Sequence, residues 1–271
     1  MFTLTRRESS PIPLDVTGIL PETVANLSAL EVAKRPVLFG NRTEELGQHF
    51  DVKTGSTVAP NRADLQFAGD TGNVHNIGKG MTGGFVYCEN DVGRHAGAQM
   101  TGGQLILDMG ADDWLGAEMR GGYLEARAAV GDCVGAAYRG SRRGMTGGRI
   151  LLRWTAGHEL GLLMRRGTII VHGDTGEFAG ASMIAGTIAV LGKLGARAGA
   201  GMKRGTILAL GGVAEISAWM RYSCDYSPTM LPLLGKALNL PVPPRVRCFR
   251  GDVLTGGRGE LWVANGGETG R

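Results

Sequence analysis

The 271-residue chain contains no apolar run near the ~18 residues that a membrane-spanning helix requires. Its opening residues, MFTLTRRESS, lack the apolar core of an export signal. Cysteine is scarce: Cys88, Cys133, Cys224 and Cys248 are the four present, and no two of them form a CxxC pair. That spacing argues against a disulfide framework and against a zinc or iron–sulfur cage, and it points to buried free thiols in a reducing compartment. A cytoplasmic protein is expected. The 16 aromatic residues are spread along the chain, with no basic–aromatic module of the RNA-binding kind. The net charge of +4 and the pI of about 9.0 allow an acidic partner without demanding nucleic acid.

Signatures of catalysis are also missing. There is no Gly-x-Ser-x-Gly elbow and no phosphate loop ending in Gly-Lys-Ser/Thr, and Cys88 falls within an expected strand rather than on a nucleophile turn. Of the five histidines, His75 and His158 each stand six residues before a recurring methionine. They fall four repeats apart, ~19 Å at the spacing of stacked strands, too far to share a metal. His95 is near no second ligand in sequence, and the histidines read as turn or surface residues. Asp70, Asp91, Asp132 and Asp174 recur at one kind of turn, where a carboxylate that accepts from turn amides explains them. A calcium repeat would need a nine-residue period, which is absent. No catalytic residue and no metal ligand is assigned.

What the chain has in abundance is glycine, 46 residues against roughly 7% in ordinary usage. The glycines follow a repeat. Methionines stand at 81, 100, 119, 145, 164, 183 and 202, and all steps but one are 19 residues. Three residues after each comes a glycine, from Gly84 to Gly205. Next come two apolar positions spaced by two, such as Val86/Cys88, Ile169/Val171 and Ile207/Ala209. Units this short cannot bury a face alone and must stack. Helical solenoids are excluded, because each interior glycine costs a helix ~1 kcal/mol. Leucine-rich repeats are excluded by the missing Leu-x-x-Leu-x-Leu pattern with Asn.

The expected fold is all-β dominated: a right-handed parallel β-helix of about seven 19-residue rungs, with methionine and isoleucine ladders inside. The expected division is an N-terminal α+β cap over 1–60, the glycine-rich β-helix over 61–212, and a C-terminal helix and strand cap over 213–271. In the first cap, strands are expected near 2–5, 12–16, 37–39 and His49–Val58. Ser28 with Glu31 forms a capping-box start for a short helix. A partial repeat begins near Asp64. After Gly211-Gly212, helices are expected over Ala214–Met220 and from Ser227-Pro228 to Leu240, then strands at Arg245–Arg250 and Glu260–Val263. Both caps would cover the open ends of the stack.

Two features break the regularity. The step from Met119 to Met145 is 26 residues, so seven extra residues form a basic loop around Ala137–Gly144, Ala-Tyr-Arg-Gly-Ser-Arg-Arg-Gly. The positions following the methionines are often basic: Arg120, Arg165 and Arg166, Lys203 and Arg204, with Arg142 and Arg143 just before Met145. Stacking would align these into a basic stripe along one edge. One reading is a solvated corner that resists edge pairing. The other is a track for an acidic ligand, since aligned cations concentrate anions and arginine pairs well with carboxylates.

The repeats Gly-Lys-Gly-Met-Thr-Gly-Gly (78–84) and His-Ala-Gly-Ala-Gln-Met-Thr-Gly-Gly (95–103) resemble the glycine-rich C-terminal (GXGXG) domain of the large glutamate synthase subunit. Ile12-Pro-Leu-Asp-Val-Thr-Gly18, Leu38-Phe-Gly-Asn-Arg42 and Phe249-Arg-Gly-Asp-Val253 resemble the C subunit of formylmethanofuran dehydrogenase, over almost the whole chain. The resemblance implies a scaffold subunit whose metals and catalytic residues belong to partner subunits. In methanogens that family serves a tungsten or molybdenum dehydrogenase. In methylotrophic bacteria it serves a formyltransferase/hydrolase complex with amidohydrolase-like and formyltransferase-like chains. That complex passes formyl from tetrahydromethanopterin to a methanofuran-type carrier and releases formate. The alanine- and arginine-rich composition leans to the bacterial complex. The family's carrier bears a glutamate-rich tail, which makes Arg142, Arg143, Arg165, Arg166, Lys203 and Arg204 its expected track.

Overall fold

The computed structural model describes residues 1–55, 64–238 and 240–264. Residues 56–58 of the strand and turn expected over His49–Val58, the 60/61 boundary and the chain beyond Ala264 lie outside the described residues.

In chain order the strands are β1 (Phe2–Arg6), β2 (Leu14–Asp15), β3 (Pro36–Phe39), β4 (Arg42–Glu45), β5 (Phe50–Thr54), β6 (Leu65–Ala68), β7 (Val74–His75), β8 (Phe85–Cys88), β9 (Gln104–Leu107), β10 (Tyr123–Ala126), β11 (Arg149–Leu152), β12 (Thr168–Val171), β13 (Thr187–Val190), β14 (Thr206–Ala209), β15 (Arg221–Tyr226), β16 (Val246–Gly251) and β17 (Gly259–Ala264). Helices are short: α1 (Pro21–Val24), α2 (Ala29–Ala33), α3 (Leu46–His49) and α4 (Met230–Leu238). One 13-stranded sheet runs β15-β16-β17-β14-β13-β12-β11-β10-β9-β8-β6-β1-β5 and is parallel from β17 to β1. A four-stranded sheet, β4-β3-β2-β7, covers one side of the N-terminal end.

The stack is β-helix-like because the 19-residue period brings identical positions into register. Val86, Leu105, Leu124, Ile150, Ile169, Ile188, Ile207 and Leu261 are successive cross-strand partners. All of these side chains are buried, and so are all seven repeat methionines. A second line of parallel bridges runs Val92–Ala111–Val130–Ala156–Thr175. The recurring aspartates stitch this side. Asp91 Oδ1 accepts from Gly110 N–H at 2.7 Å, Asp132 Oδ1 from His158 N–H at 2.7 Å, and Asp174 Oδ1 from Lys193 N–H at 2.7 Å. These carboxylates therefore bind the turn of the next rung; Asp70 alone of the four accepts within its own turn, from Gly72 N–H.

The methionine corner carries a continuous ladder of short backbone bonds. The N–H after each repeat methionine donates to the carbonyl of the preceding methionine, from Thr101 on Met81 to Lys203 on Met183, at 2.7–2.9 Å. The ends of that ladder would be left unpaired, which is costly for buried backbone groups. At the N-terminal end, Glu22 Oε1 accepts from Thr82 N–H at 2.7 Å and Asp64 Oδ2 from Phe85 N–H at 2.8 Å. At the C-terminal end, Asp252 N–H donates to Met202 O at 3.1 Å. The buried Asp252 carboxylate also accepts from Gly201 N–H at 3.0 Å.

Several local expectations change. Ser28 and Glu31 do form the capping box of α2, and Gly40-Asn41 turns β3 into β4. No helix forms over Ala214–Met220. Val213 still bridges to Leu194, Ala214 N–H donates to Leu194 O, and Met220 drops into the end of the apolar interior. Continuing the ladder and plugging the core outweighs local helix propensity. Cys224 is exposed on β15, whereas the other three free thiols are buried as expected. On the outer face of the stack, Leu151, Ile170, Ala189, Leu208 and Trp262 form a second core with Leu231, Leu240, Val246 and Cys248. Replacing Met164 by Ala is expected to cost about 2–5 kcal/mol, as for other buried large-to-small changes. Asp252→Ala removes a buried carboxylate from its donors and is expected to cost about 1–3 kcal/mol. Denaturant unfolding of the full chain measures both.

Candidate functional site

The corner that follows the methionines changes along the stack. In the earlier rungs the second residue after methionine is glycine: Gly102, Gly121 and Gly147. A Cβ there would lie 2.2–2.3 Å from the carbonyl oxygens of Thr82, Thr101 and Arg120 in the preceding rung. The close approach forbids a side chain. In the later rungs the same position holds Arg166, Ala185 and Arg204. The second corner position therefore opens enough to emit a side chain from the rung of Met164 onward, one rung past the insertion.

Two adjoining grooves follow this edge. One, of about 640 Å³, is lined by Arg120, Arg142, Arg143, Arg165 and Arg166 together with Glu118, Ser141 and Thr146. The other, of about 500 Å³, is lined by Arg165, Arg166, Lys203, Arg204 and Arg258, with Ile184, Ala185 and the Thr255–Gly257 backbone between them. All six sequence-assigned cations thus meet on one surface, and Arg165 and Arg166 are shared by both grooves. Their side chains are exposed or half-buried. Among the described residues none of the six forms an ion pair. An unneutralised cluster of this kind holds a local positive potential and draws polyanions.

Arg258 is the cation that sequence reasoning missed. It lies outside the repeat, yet Arg258 N–H donates to Lys203 O at 2.8 Å, so it extends the stripe by one rung. Only the pairing of β17 onto β14 reveals it. The carboxylate in the groove, Glu118, is itself engaged. Burial would raise its pKa. Hydrogen bonds from Gln99, Ser141 and Tyr138 N–H, with the charge of Arg120, outweigh that and hold it below the ordinary glutamate range.

Other titratable groups serve packing. Burial first, then neighbouring carboxylates, lifts the Cys133 thiol to about 12 and the Cys248 thiol to about 11. Neither is poised as a thiolate nucleophile. Among the described residues no group of three or more His, Cys, Asp and Glu side chains is arranged to hold a metal ion. No helix there is long and apolar enough to cross a membrane. The glycine constraint is directly testable. Gly121→Ala is expected to destabilise the chain by about 1–3 kcal/mol, as overpacking does. Arg166→Gly, at the equivalent place, should leave the melting temperature within a few degrees of wild type, as surface changes usually do.

No family model matches the chain. Its sequence is similar to the C subunit of the tungsten-containing formylmethanofuran dehydrogenase 2 of Methanothermobacter wolfeii, at 36% identity over 95 residues. The equivalent protein of Methanothermobacter marburgensis is 35% identical over 95 residues. These matches span 35% of this chain and 35% of each relative, about a third of the length of the curated relatives. The likeness to a solved structure is far more extensive. A chain of the formyltransferase/hydrolase complex of Methylorubrum extorquens, crystallised with methylofuran, superposes with a TM-score of 0.86. It is 30% identical, and the match covers 96% of this chain and 98% of that one. The chain therefore belongs to the family that holds the C subunit of formylmethanofuran dehydrogenase and its counterpart in the formyltransferase/hydrolase complex.

Proposed function

We propose that this chain is a non-catalytic scaffold subunit of a formyltransferase/hydrolase complex in one-carbon metabolism. The complex would move a formyl group from tetrahydromethanopterin to a methanofuran-type carrier and release formate, as a step of formaldehyde oxidation in the cytoplasm. The observation that carries this reading is the near full-length structural match to a chain of such a complex. Amidohydrolase-like and formyltransferase-like chains would be the partners, and they would hold the metals and the reacting groups. A scaffold role accords with the recurring carboxylates Asp91, Asp132 and Asp174, which bind neighbouring rungs.

The basic edge then has a task. Arg142, Arg143, Arg165, Arg166, Lys203 and Arg204, with Arg258, would hold the acidic tail of the carrier. Each exposed ion pair contributes little, about 0.2–1 kcal/mol. Several in a row tether a polyanion without fixing it rigidly, and tethering keeps the reactive end at high effective concentration. A tail held this way can slide between partner active sites.

A second reading is favoured by the curated relatives, which are dehydrogenase subunits. On that reading the same scaffold serves a tungsten or molybdenum oxidoreductase. Identification of the chains that co-purify with this one, with metal analysis of the assembly, separates the two. Amidohydrolase-like and formyltransferase-like partners support the first; a pterin–metal protein supports the second. Within the assembled complex, Lys203→Glu with Arg204→Glu is expected to raise KM for the full-length carrier roughly tenfold, from the loss of two exposed ion pairs and the repulsion that the new carboxylates add. KM for a carrier without the tail should not change. Equal effects on both carriers would exclude a role in tail binding.

A further inference from the structure

The seven-residue insertion is pinned to the solenoid at both ends and at its middle. Met145 N–H donates to Gly135 O at 2.8 Å, the same bond that other rungs make across three residues, as between Met164 and Gly161. Ala137 N–H donates to Leu162 O, and Gly144 N–H to Leu163 O. The excursion is thus closed at its base, and the solenoid continues beneath it undisturbed.

Its middle is held by residues of the two preceding rungs. The Tyr138 hydroxyl lies 3.0 Å from His95 Nδ1. The Tyr138 ring packs on Trp114, with centroids 5.1 Å apart, and Trp114 stacks in turn on His95. On the other side of the backbone, Glu118 Oε1 accepts from Tyr138 N–H at 3.3 Å, and its second oxygen accepts from Gln99 Nε2 at 3.0 Å. Within the loop, the Ser141 hydroxyl donates to Arg143 O at 3.4 Å. Beyond these attachments the loop presents Arg142 and Arg143, both exposed, which line the larger groove together with Arg120 and Arg165.

The protonation states favour this arrangement. Burial, with the charges of Lys79, His75 and Arg94, lowers the His95 pKa and favours the neutral imidazole, the form whose Nδ1 is able to accept from the Tyr138 hydroxyl. Burial and Glu118 push the Tyr138 phenol up to about 12, so it remains a donor. Glu118, its pKa held low, stays ionised and accepts from Tyr138 N–H and Gln99 Nε2.

We propose that the insertion is a latched arm: Tyr138, seated on His95 and Trp114 and bonded to Glu118, positions Arg142 and Arg143 over the groove so that they engage the carboxylates of an extended polyanion. This rests on the reading of the basic edge as an anion track. It makes Tyr138 a positioning residue that acts through two arginines, and Glu118 a structural anion rather than a competitor of the ligand. A free loop would have to lose the rotamer and backbone freedom of both arginines on binding. The latch removes that loss beforehand.

The test uses the full chain and a fluorescein-labelled hexaglutamate peptide, with affinity read by anisotropy. Tyr138→Ala is expected to weaken binding as much as Arg142→Ala with Arg143→Ala does. In the background lacking both arginines, Tyr138→Ala should change nothing further. Tyr138→Phe keeps the ring on Trp114 and loses one hydrogen bond, so its effect should be smaller, about threefold. Thermal melts check that each variant is folded. Lys203→Glu with Arg204→Glu tests the track itself. If that pair weakens binding but Tyr138→Ala does not, or adds its full effect in the arginine-less background, the latch is overturned and the track stands. If the wild-type chain does not bind the peptide, both fall.

Discussion

The hydrogen bond from the residue after each methionine to the carbonyl of the methionine before it sets the pitch of this molecule. It holds successive rungs 2.7–2.9 Å apart, donor to acceptor, along one corner. That contact leaves no room for a Cβ at Gly102, Gly121 or Gly147. It also turns each methionine side chain inward, where all seven are sealed from solvent. Backbone pairing and core packing are therefore one constraint: shifting a rung would unpair the corner and expose the ladder. The ends follow from the same bond. Carboxylates of Glu22 and Asp64 accept from the first rung, and the N–H of Asp252 satisfies the last methionine carbonyl. Each terminus supplies the polarity that the stack lacks there.

The sequence period made the stack legible, because a fixed spacing of apolar residues admits few structures. The in-register Val86-to-Ile207 row and the buried methionines follow from counting. The six cations could be placed on one edge for the same reason. What could not be read were contacts that cross the period. Arg258 joins the stripe only because β17 pairs with β14 some fifty residues from its sequence neighbours in the stack. Tyr138 reaches back to His95, 43 residues earlier, and nothing local in the insertion signals it. β15 has no apolar alternation to mark it: four of its six residues are exposed. Ala214–Met220 misled for the opposite reason. Its local composition suits a helix, but Val213 and Met220 are held by the end of the ladder and the core.

The insertion divides the molecule into two halves of different character. Up to the first rung past it, the methionine corner is closed by glycine, and the outer sheet face carries a polar network. There, Tyr87 bonds Asp108, and Glu125 joins Tyr123 and Arg153. After it, the corner emits Arg166 and Arg204, and the outer face is apolar and covered by the C-terminal chain. An unbroken series of rungs with identical corners would offer a partner the same surface at every level. Breaking the series once, at the middle, gives the solenoid a direction. The cations then run from Arg120, one rung before the break, to Arg258, where the C-terminal chain closes the stack. A bound polyanion on such an edge has a defined beginning and end, set by where backbone packing lets side chains out.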